Sequence, residues 1–302
     1  NTFLFNADGL IIGFDEENPL ATEGGKVKLL QSMNLPGELY GIGDGHSDFQ
    51  LKESGLIKKF YAFTENIERK TILAKADHVT PSFDEFLYVN NLPRAISYPK
   101  NRILCLAVGQ IPEESLQLLK KDGFSIRHKT SFEEKYVADV GMLLLGKGER
   151  IADERLKRAV KLKTIGYLGA GKLALTESIC TKMGIVLFDD AKENPRNSRF
   201  IPQRMADFIN KGDSYLSSNF PNLQLPKIAQ AHRLIHIHHN VPGIMAQINQ
   251  VFAQHHINIL GQFLMTNPQI GYAITDVSAE YDKDVLKKLK QIEHTIKFRI
   301  LY

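Results

Sequence analysis

The sequence predicts an α/β protein with open parallel sheets, followed by a smaller α+β unit. Two patterns carry this prediction. Up to about residue 190, short apolar runs rich in β-branched residues alternate with helical patterns, which is typical of parallel strands covered on both faces. After a polar stretch rich in Pro and Asn, residues 229–302 follow the order β-α-β-β-α-β.

The composition is that of an ordinary globular chain. The 302 residues carry a net charge of only +4, which argues against a nucleic-acid or membrane-surface protein. The two cysteines lie in apolar runs, so we expect no disulfide framework and a cytoplasmic location. No apolar run reaches the ~18 residues of a membrane span, and the start has no signal-peptide features. Because the first residue is Asn rather than Met, we expect that the chain can be a piece of a longer protein.

Residues 1–95 form the first predicted segment, a hairpin followed by alternating helices and strands. The turn Asn6-Ala7-Asp8-Gly9 favours a hairpin between two short β runs. The predicted strands are Thr2–Phe5, Leu10–Phe14, Leu39–Ile42 and Lys59–Phe63, and the predicted helices are Lys26–Met33 and Phe49–Leu56.

Residues 96–190 repeat this alternation and form the second predicted segment. The predicted strands are Arg102–Val108, Val140–Leu145, Lys163–Leu168 and Ile185–Phe188, and the predicted helices are Pro112–Lys121, Ala152–Val160 and Leu173–Lys182.

Residues 191–228 are predicted to be a linker with one short helix, Pro202–Asn210, because prolines and asparagines punctuate the stretch. In residues 229–302, two crossover helices on one face of a four-stranded sheet predict a ferredoxin-like unit. Its predicted strands are Leu234–His238, Ile257–Leu264, Ile270–Val277 and Thr295–Leu301, and its predicted helices follow Asn240, as the N-cap, and span Asp284–Ile292.

The first functional motif is Gly43-Asp44-Gly45-His46-Ser47-Asp48, directly after a predicted parallel strand. Carboxylates at the carboxyl end of such a strand point into the crevice where α/β sheets bind ligands. Asp44 and Asp48 therefore suit a hard cation such as Mg²⁺, and Lys26, at the start of a helix, suits a phosphoryl group. The alternative is that the loop is only a turn and Lys26 a solvated charge.

With these motifs, residues 1–92 resemble the haloacid-dehalogenase superfamily, and phosphoserine phosphatases in particular. The resemblance implies that Lys26 contacts the phosphoryl group of phosphoserine or another small phosphate ester, and that Asp44, supported by Asp48, binds Mg²⁺. The family's nucleophile lies in an Asp-x-Asp-x-Thr/Ser motif, which this sequence does not contain. Covalent phosphoryl transfer needs that acceptor, so we expect only a partial phosphatase site.

The second motif is Gly169-Ala170-Gly171-Lys172-Leu173-Ala174, a G-x-G-x-x-A pattern between a predicted strand and a predicted helix. Asp189 lies where a ribose-binding acid would sit, so Gly169, Gly171 and Asp189 are candidate NAD-binding residues. The chain runs into the Pro-rich stretch before a second mononucleotide half could follow, so we expect that NAD does not bind.

Residues 101–190 resemble part of the flavodoxin-like substrate domain of D-3-phosphoglycerate dehydrogenases. The resemblance implies that residues 162–188 are a structural strand-helix-strand and not the cofactor loop. The family's nucleotide-binding domain would follow at about Asp190 and is absent. Where the family places an Arg-Ser phosphate-binding pair, this chain has Gly146-Lys147, so Lys147 or Arg150 would meet a phosphate only in a displaced geometry.

The third group of candidates is in residues 232–256, which hold six of the ten histidines. His236 and His238 share one face of a strand, but no Cys or carboxylate near them completes a zinc site. We instead predict a small-molecule pocket, in which a helix start near Asn240 binds a carboxylate and the amide of Asn258 binds an ammonium group. The alternative is that Asn240 is only a helix cap and Asn258 an edge residue.

Residues 200–302 closely resemble the C-terminal part of D-3-phosphoglycerate dehydrogenases, including their ACT regulatory domain. The likeness lies in Ala231–Gln262, Phe298–Tyr302 and Ser218-Asn219-Phe220-Pro221. The resemblance implies paired ACT domains in a homodimer that bind L-serine as an effector through His238, Asn240 and Asn258. The family often has Glu at the position of His239, a change that can alter pH dependence.

Together the three resemblances point to a fusion from serine biosynthesis, in which a serine-sensing ACT domain is joined to the Mg²⁺-binding half of a phosphoserine phosphatase. We expect hydrolysis of phosphoserine only if the missing half is supplied. Two alternatives stay open: a truncated or divergent NAD-linked dehydrogenase, and a non-catalytic dimerisation scaffold. No nucleic-acid or membrane partner is expected.

Overall fold

The computed structural model describes residues 3–92, 99–170, 174–190, 198–226, 228, 231–278 and 283–301. The chain divides into two compact units, Asn1–Pro99 and Lys100–Tyr302. The α/β fold with parallel sheets and a C-terminal antiparallel sheet, as the sequence predicts, is confirmed.

The first unit contains an antiparallel hairpin and a three-stranded parallel sheet in the order β3-β4-β5. The hairpin turn forms as expected, because the Asn6 side chain accepts hydrogen bonds from the backbone N–H groups of Asp8 and Leu10. The elements are β1 (Phe3–Phe5), β2 (Ile11–Phe14), α1 (Gly25–Ser32), β3 (Tyr40–Gly43), α2 (His46–Glu53), β4 (Lys59–Phe63), α3 (Lys70–Leu73), β5 (His78–Thr80) and α4 (Phe83–Val89).

Helix α2 begins three residues before the predicted start at Phe49. Gly45 precedes the helix in an extended conformation, and its N–H donates to the Asp48 carboxylate, so the helix starts at His46. It ends before Gly55, which has a φ of +74°. The short elements α3, β5 and α4 have no counterpart in the sequence prediction, since elements of three to seven residues carry little periodicity.

The second unit begins with a five-stranded parallel sheet in the order β10-β9-β8-β6-β7, which is the flavodoxin-like order. All six residues of the central strand β8 are buried, as expected for a strand covered on both faces. The elements are β6 (Leu104–Val108), α5 (Glu113–Lys121), β7 (Ser125–Lys129), β8 (Val140–Leu145), α6 (Asp153–Arg158), β9 (Thr164–Ala170), α7 (Ala174–Lys182) and β10 (Val186–Asp190).

The rest of the second unit is one long helix and a four-stranded antiparallel sheet in the order β12-β13-β11-β14. This order and the βαββαβ sequence of elements make it ferredoxin-like, as predicted. The elements are α8 (Phe200–Lys211), β11 (Ala231–His239), α9 (Ile244–Gln254), β12 (Ile259–Thr266), β13 (Ile270–Ser278), α10 (Lys283–Lys290) and β14 (Thr295–Leu301).

The segment predicted to be a linker is built into the core wherever the structure describes it. Helix α8 buries Ile201, Met205 and Phe208, and the following loop buries Phe220 and Leu223. These side chains join one hydrophobic cluster with residues of both sheets of the second unit. Residues 198–226 therefore connect the two sheets by packing between them. The polar residues of this stretch suggested a linker, but the apolar residues among them form one buried face of α8.

Tyr272 of β13 marks this junction. Its ring is fully buried, and its hydroxyl donates to the Gly212 carbonyl at 2.6 Å, at the residue that ends α8. Gly212 has a φ of +74°, and a Cβ there would lie 2.5 Å from the Ile235 side chain, so glycine is required for β11 to approach.

We expect Tyr272→Phe to lower the free energy of unfolding by about 1–2 kcal/mol, because it leaves a buried carbonyl without its donor. Denaturant unfolding followed by circular dichroism measures this change. Tyr215→Phe is the matched control, since Tyr215 is 42% exposed. Equal unfolding midpoints for the two variants would contradict the assignment.

Candidate functional site

The loop after β3 brings three predicted residues into one cluster. Asp48 folds back over the loop, accepts from the Gly45 N–H at 3.3 Å and forms an ion pair with Lys26. Gly43 allows this, because a Cβ there would lie within 2.5 Å of the Asp48 carboxyl group. The phosphatase-like pattern of Lys26, Asp44 and Asp48 is therefore joined in space at the carboxyl end of a parallel strand.

Asp44 is held by Arg69, a residue that the sequence analysis missed. The Arg69 guanidinium donates to the Asp44 carboxylate at 2.8 Å and to its backbone carbonyl at 3.0 Å. Arg69 directly precedes α3, an element too short to be predicted, so no spacing rule pointed to it.

The cluster contains two carboxylates and two cations, so its formal charge is balanced. Among the described residues, no group of three or more His, Cys, Asp or Glu side chains could hold a metal ion. Arg69 contacts only the Oδ2 oxygen of the Asp44 carboxylate, so Oδ1 could serve as one Mg²⁺ ligand. Lys26 and Arg69 are each about half exposed and offer charged N–H donors, which suit a phosphate group.

Two of the three candidate NAD-binding residues, Gly169 and Asp189, lie in the part of the chain that the structure describes. A Cβ at Gly169 would lie 2.1 Å from the Tyr167 hydroxyl, so the space beside this glycine is filled by the chain's own side chain. Asp189, the expected ribose ligand, is buried and accepts a hydrogen bond from Ser218. Gly171 lies outside the described residues.

The motif does not lie at the usual ligand-binding point of the sheet. Ligands of open α/β sheets bind where the strand order reverses, which here is between β6 and β8. The motif follows β9 and leads to β10 at the edge of the sheet, away from that point. The close approach of Tyr167 favours glycine at position 169, because a Cβ there would displace the Tyr167 side chain.

A cavity of about 650 Å³ lies at the carboxyl ends of β6 and β7, lined by residues 109–112 and 128–130. The sequence analysis did not predict it. Two of its polar side chains have partners, because His128 hydrogen-bonds the Gly109 carbonyl at 2.8 Å and Lys129 pairs with Glu133 at 3.3 Å. Lys147 and Arg150, the possible phosphate contacts in the loop after β8, are exposed.

His238 lies near the end of β11, on the same face as His236. Both rings are buried, with centroids 5.5 Å apart. His238 Nδ1 hydrogen-bonds the His239 carbonyl at 2.8 Å, whereas Nε2 has no partner within the described chain. His238 packs flat on Gly271, where a Cβ would lie 2.1 Å from the ring. Burial lowers the pKa of His238, so its ring is neutral at pH 7.

Asn240 is not the cap of α9, which corrects the sequence analysis. The helix begins at Ile244 after Gly243, whose φ is +89°. The Asn240 amide instead donates to the Asn267 carbonyl at 2.8 Å. Asn267 in turn donates to the Asn219 carbonyl at 3.2 Å, so this turn is tied to the loop that follows α8.

Asn258 is exposed and lies at the opposite end of the sheet from His238. His238 is aligned with Gly271 on β13, whereas Ile259, next to Asn258, is aligned with Val277. Six residues of strand separate these positions, roughly 20 Å. One chain therefore brings His238 and Asn240 together but not Asn258, contrary to a pocket within a single domain.

The two edges of the four-stranded sheet differ. Edge strand β14 faces the parallel sheet, and Lys297 on it donates to the Leu162 carbonyl at 2.7 Å. Edge strand β12 pairs only with β13 among the described strands. Its exposed apolar side chains are Ile259, Leu260, Phe263, Leu264 and Met265. A long apolar edge of this kind is a template for pairing with another chain.

Comparisons with known proteins bear on the same regions. Residues 234–297 match the family described as the AHAS small subunit-like ACT domain. The D-3-phosphoglycerate dehydrogenase of Haemophilus influenzae is 40% identical over 99 residues, which is 33% of this chain and 24% of that protein. The enzyme of the same name from Dictyostelium discoideum is 41% identical over 98 residues, with similar coverage. The chain thus spans about a quarter of the length of these relatives.

Among solved structures, a phosphoserine phosphohydrolase-like protein from Francisella tularensis matches 29% of this chain and 41% of that chain, with 29% identity and a TM-score of 0.25. The prediction of an ACT domain at the C-terminus is confirmed. About a third of the chain is similar to D-3-phosphoglycerate dehydrogenases, as the sequence analysis suggested. No helix in the described ranges is long and apolar enough to cross a membrane.

We expect acid to destabilise the second unit through His236. Burial, with a contribution from His238, lowers the pKa of His236 from 6.5 to about 4. The folded state then binds fewer protons than the unfolded state, so stability falls as the pH drops from about 6.5 to about 4, by about 3 kcal/mol. Denaturant unfolding at a series of pH values measures this loss.

His236→Asn should lose correspondingly less stability over the same pH range. His256→Asn is the control, because His256 is exposed and Asn tolerates its φ of +53°. If the His236 and His256 variants show the same pH dependence as the unsubstituted chain, the assignment is wrong.

Proposed function

We propose that residues 231–301 are a regulatory module that binds a small amino acid, L-serine by family resemblance, between two copies of the chain. The observation that carries this proposal is the separation of Asn258 from His238 within one sheet, combined with the free apolar edge of β12.

A two-fold pairing of β12 with its copy would complete the pocket. Strands β11 and β12 both run antiparallel to β13, so Asn258 lies at the end of the sheet opposite to His238. When two β12 strands pair antiparallel, the start of one lies beside the end of the other. The partner subunit's Asn258 then approaches the end where Asn240 contacts Asn267.

The polar groups at this end suit a zwitterion. His238 has a buried ring nitrogen, Nε2, without a partner among the described residues, and Asn240 has an amide group. The turn before α9 lies beside them, and the N-terminus of that helix favours a carboxylate. The partner's Asn258 would supply the amide oxygen for the ammonium group, so a complete site requires the pair.

We expect Asn240→Ala and Asn258→Ala each to abolish L-serine binding in calorimetry, because each removes one half of the shared pocket. An equimolar mixture of the two variants, unfolded and refolded together, should regain binding at about a quarter of the sites, since half of the pairs carry one intact pocket. Gln254→Ala, in an exposed helical position, is the control.

Binding by each single variant would contradict a role of these amides. A mixture that binds no more serine than the separate variants would contradict a pocket shared between two chains.

We further propose that Lys26, Arg69, Asp44 and Asp48 are the phosphate- and metal-holding part of a phosphoserine phosphatase-type site. The paired carboxylates and cations at the end of β3 support this proposal. Mg²⁺ would be held by Asp44 together with ligands from another segment. Apolar side chains of the β1–β2 hairpin are exposed, which agrees with a unit that packs against further chain.

We expect phosphoserine hydrolysis, assayed with Mg²⁺ on the full product of the coding region, to fall by at least about 100-fold in Lys26→Ala and Asp44→Asn. Lys28→Ala is the control on the exposed face of the same helix. Undiminished hydrolysis in the two site variants, or no hydrolysis by a product that contains an Asp-x-Asp-x-Thr/Ser motif, would contradict the proposal.

A further inference from the structure

Three cations meet where β14 packs against the parallel sheet. Lys297 and Arg299 lie two residues apart on β14, on the face directed toward that sheet, and Lys163 directly precedes β9. Arg299 is buried, and both lysines are partly buried. We call Lys163, Lys297 and Arg299 the cation cluster.

The amines of the two lysines donate hydrogen bonds to neutral acceptors on one short segment. Lys297 Nζ donates to the Leu162 carbonyl at 2.7 Å, and Lys163 Nζ donates to the Lys161 carbonyl at 3.3 Å. Within the described ranges, neither amine lies within ion-pair distance of a carboxylate. Each ammonium group has three N–H donors, so donors remain available on both.

Arg299 differs from the two lysines because the end of α8 offsets part of its charge. Its guanidinium donates to the Ile209 carbonyl at 3.0 Å and lies 4.6 Å from the centre of the Phe208 ring. Carbonyls in the last turn of a helix carry partial negative charge. The excess positive charge of the cluster is thus concentrated on Lys163 and Lys297.

Partly buried like charges without an opposite partner are unfavourable. The pKa values of the two amines reflect this cost. Burial is the larger cause and repulsion from Arg299 the next, and together they lower the pKa of Lys163 and of Lys297 to about 8. Lys161, the other cation close to Lys163, is paired with Asp139 at 2.6 Å and adds to the repulsion. An anion between the amines would remove the imbalance.

We propose that Lys163 and Lys297, backed by Arg299, form a binding site for a small oxyanion of the phosphate or sulfate type. A divalent oxyanion matches two ammonium groups in charge, and its oxygens can accept the unused N–H donors of both. The site joins the segment before β9 to β14, so a bound anion would strengthen the contact between the two sheets. It lies in residues 100–302 and is separate from the Lys26 cluster.

Calorimetric titration of the whole chain with inorganic phosphate, at constant ionic strength set with chloride, tests the proposal. We expect saturable binding that is weakened about tenfold or more in Lys163→Met and in Lys297→Met, since each loses a charge-assisted hydrogen bond. Lys297→Arg should retain binding. Lys120→Met is the control, at an exposed position on α5. Lys26→Met measures how much of the phosphate binding belongs to the cluster of Lys26 and Arg69 in the first unit.

A second measurement needs no variant. Acetylation of the unsubstituted chain, read by mass spectrometry, should modify Lys163 and Lys297 more slowly when phosphate is present, with no change at Lys120. Three results would each overturn the proposal. The first is that the unsubstituted chain does not bind phosphate, and the second is that Lys163→Met and Lys297→Met bind it as tightly as the unsubstituted chain does. The third is that phosphate does not change the rate at which Lys163 and Lys297 are acetylated.

Discussion

The structure of residues 100–302 depends on the burial of one face of the antiparallel sheet against α8. A ferredoxin-like sheet covers one face with its own two helices and leaves the other bare. Here Ile235, Ile237 and Tyr272 on that second face join the core formed by α8 and the parallel sheet. Because β14 is enclosed by the same packing, β12 is the open edge of this sheet among the described strands, and the proposed second copy would pair there.

The same packing connects the parallel sheet to Asn240 and Asn267, which lie at the end of the antiparallel sheet where the effector is proposed to bind. Asn240 contacts Asn267, and Asn267 contacts Asn219. The buried Asn219 side chain accepts from the Leu187 N–H at 2.8 Å and donates to the Ile185 carbonyl at 2.9 Å, both at strand β10. An amide side chain can both donate and accept hydrogen bonds. Asn240, Asn267 and Asn219 therefore connect the antiparallel sheet to the parallel sheet.

Sequence reasoning was most successful where periodicity was strong. Strands such as Val140–Leu145 and Thr295–Leu301 lie at their predicted positions, and the loop of Asp44 and Asp48 could be placed because it follows a strand. It missed Arg69, which is brought to Asp44 by tertiary structure alone. It predicted the helix Pro202–Asn210, which lies within α8, but took the segment around it for a linker. It could not show that His238 and Asn258 lie at opposite ends of one chain's sheet, because a list of residues does not show which end of a sheet each occupies.

The Tyr167–Gly169 contact has a consequence for how related sequences are interpreted. The phenol ring of Tyr167 occupies the volume that any larger residue at 169 would need. A side chain at position 169 would therefore require the Tyr167 ring to move, whether or not a nucleotide binds there. Glycine at this position is consequently not, by itself, evidence of a nucleotide site.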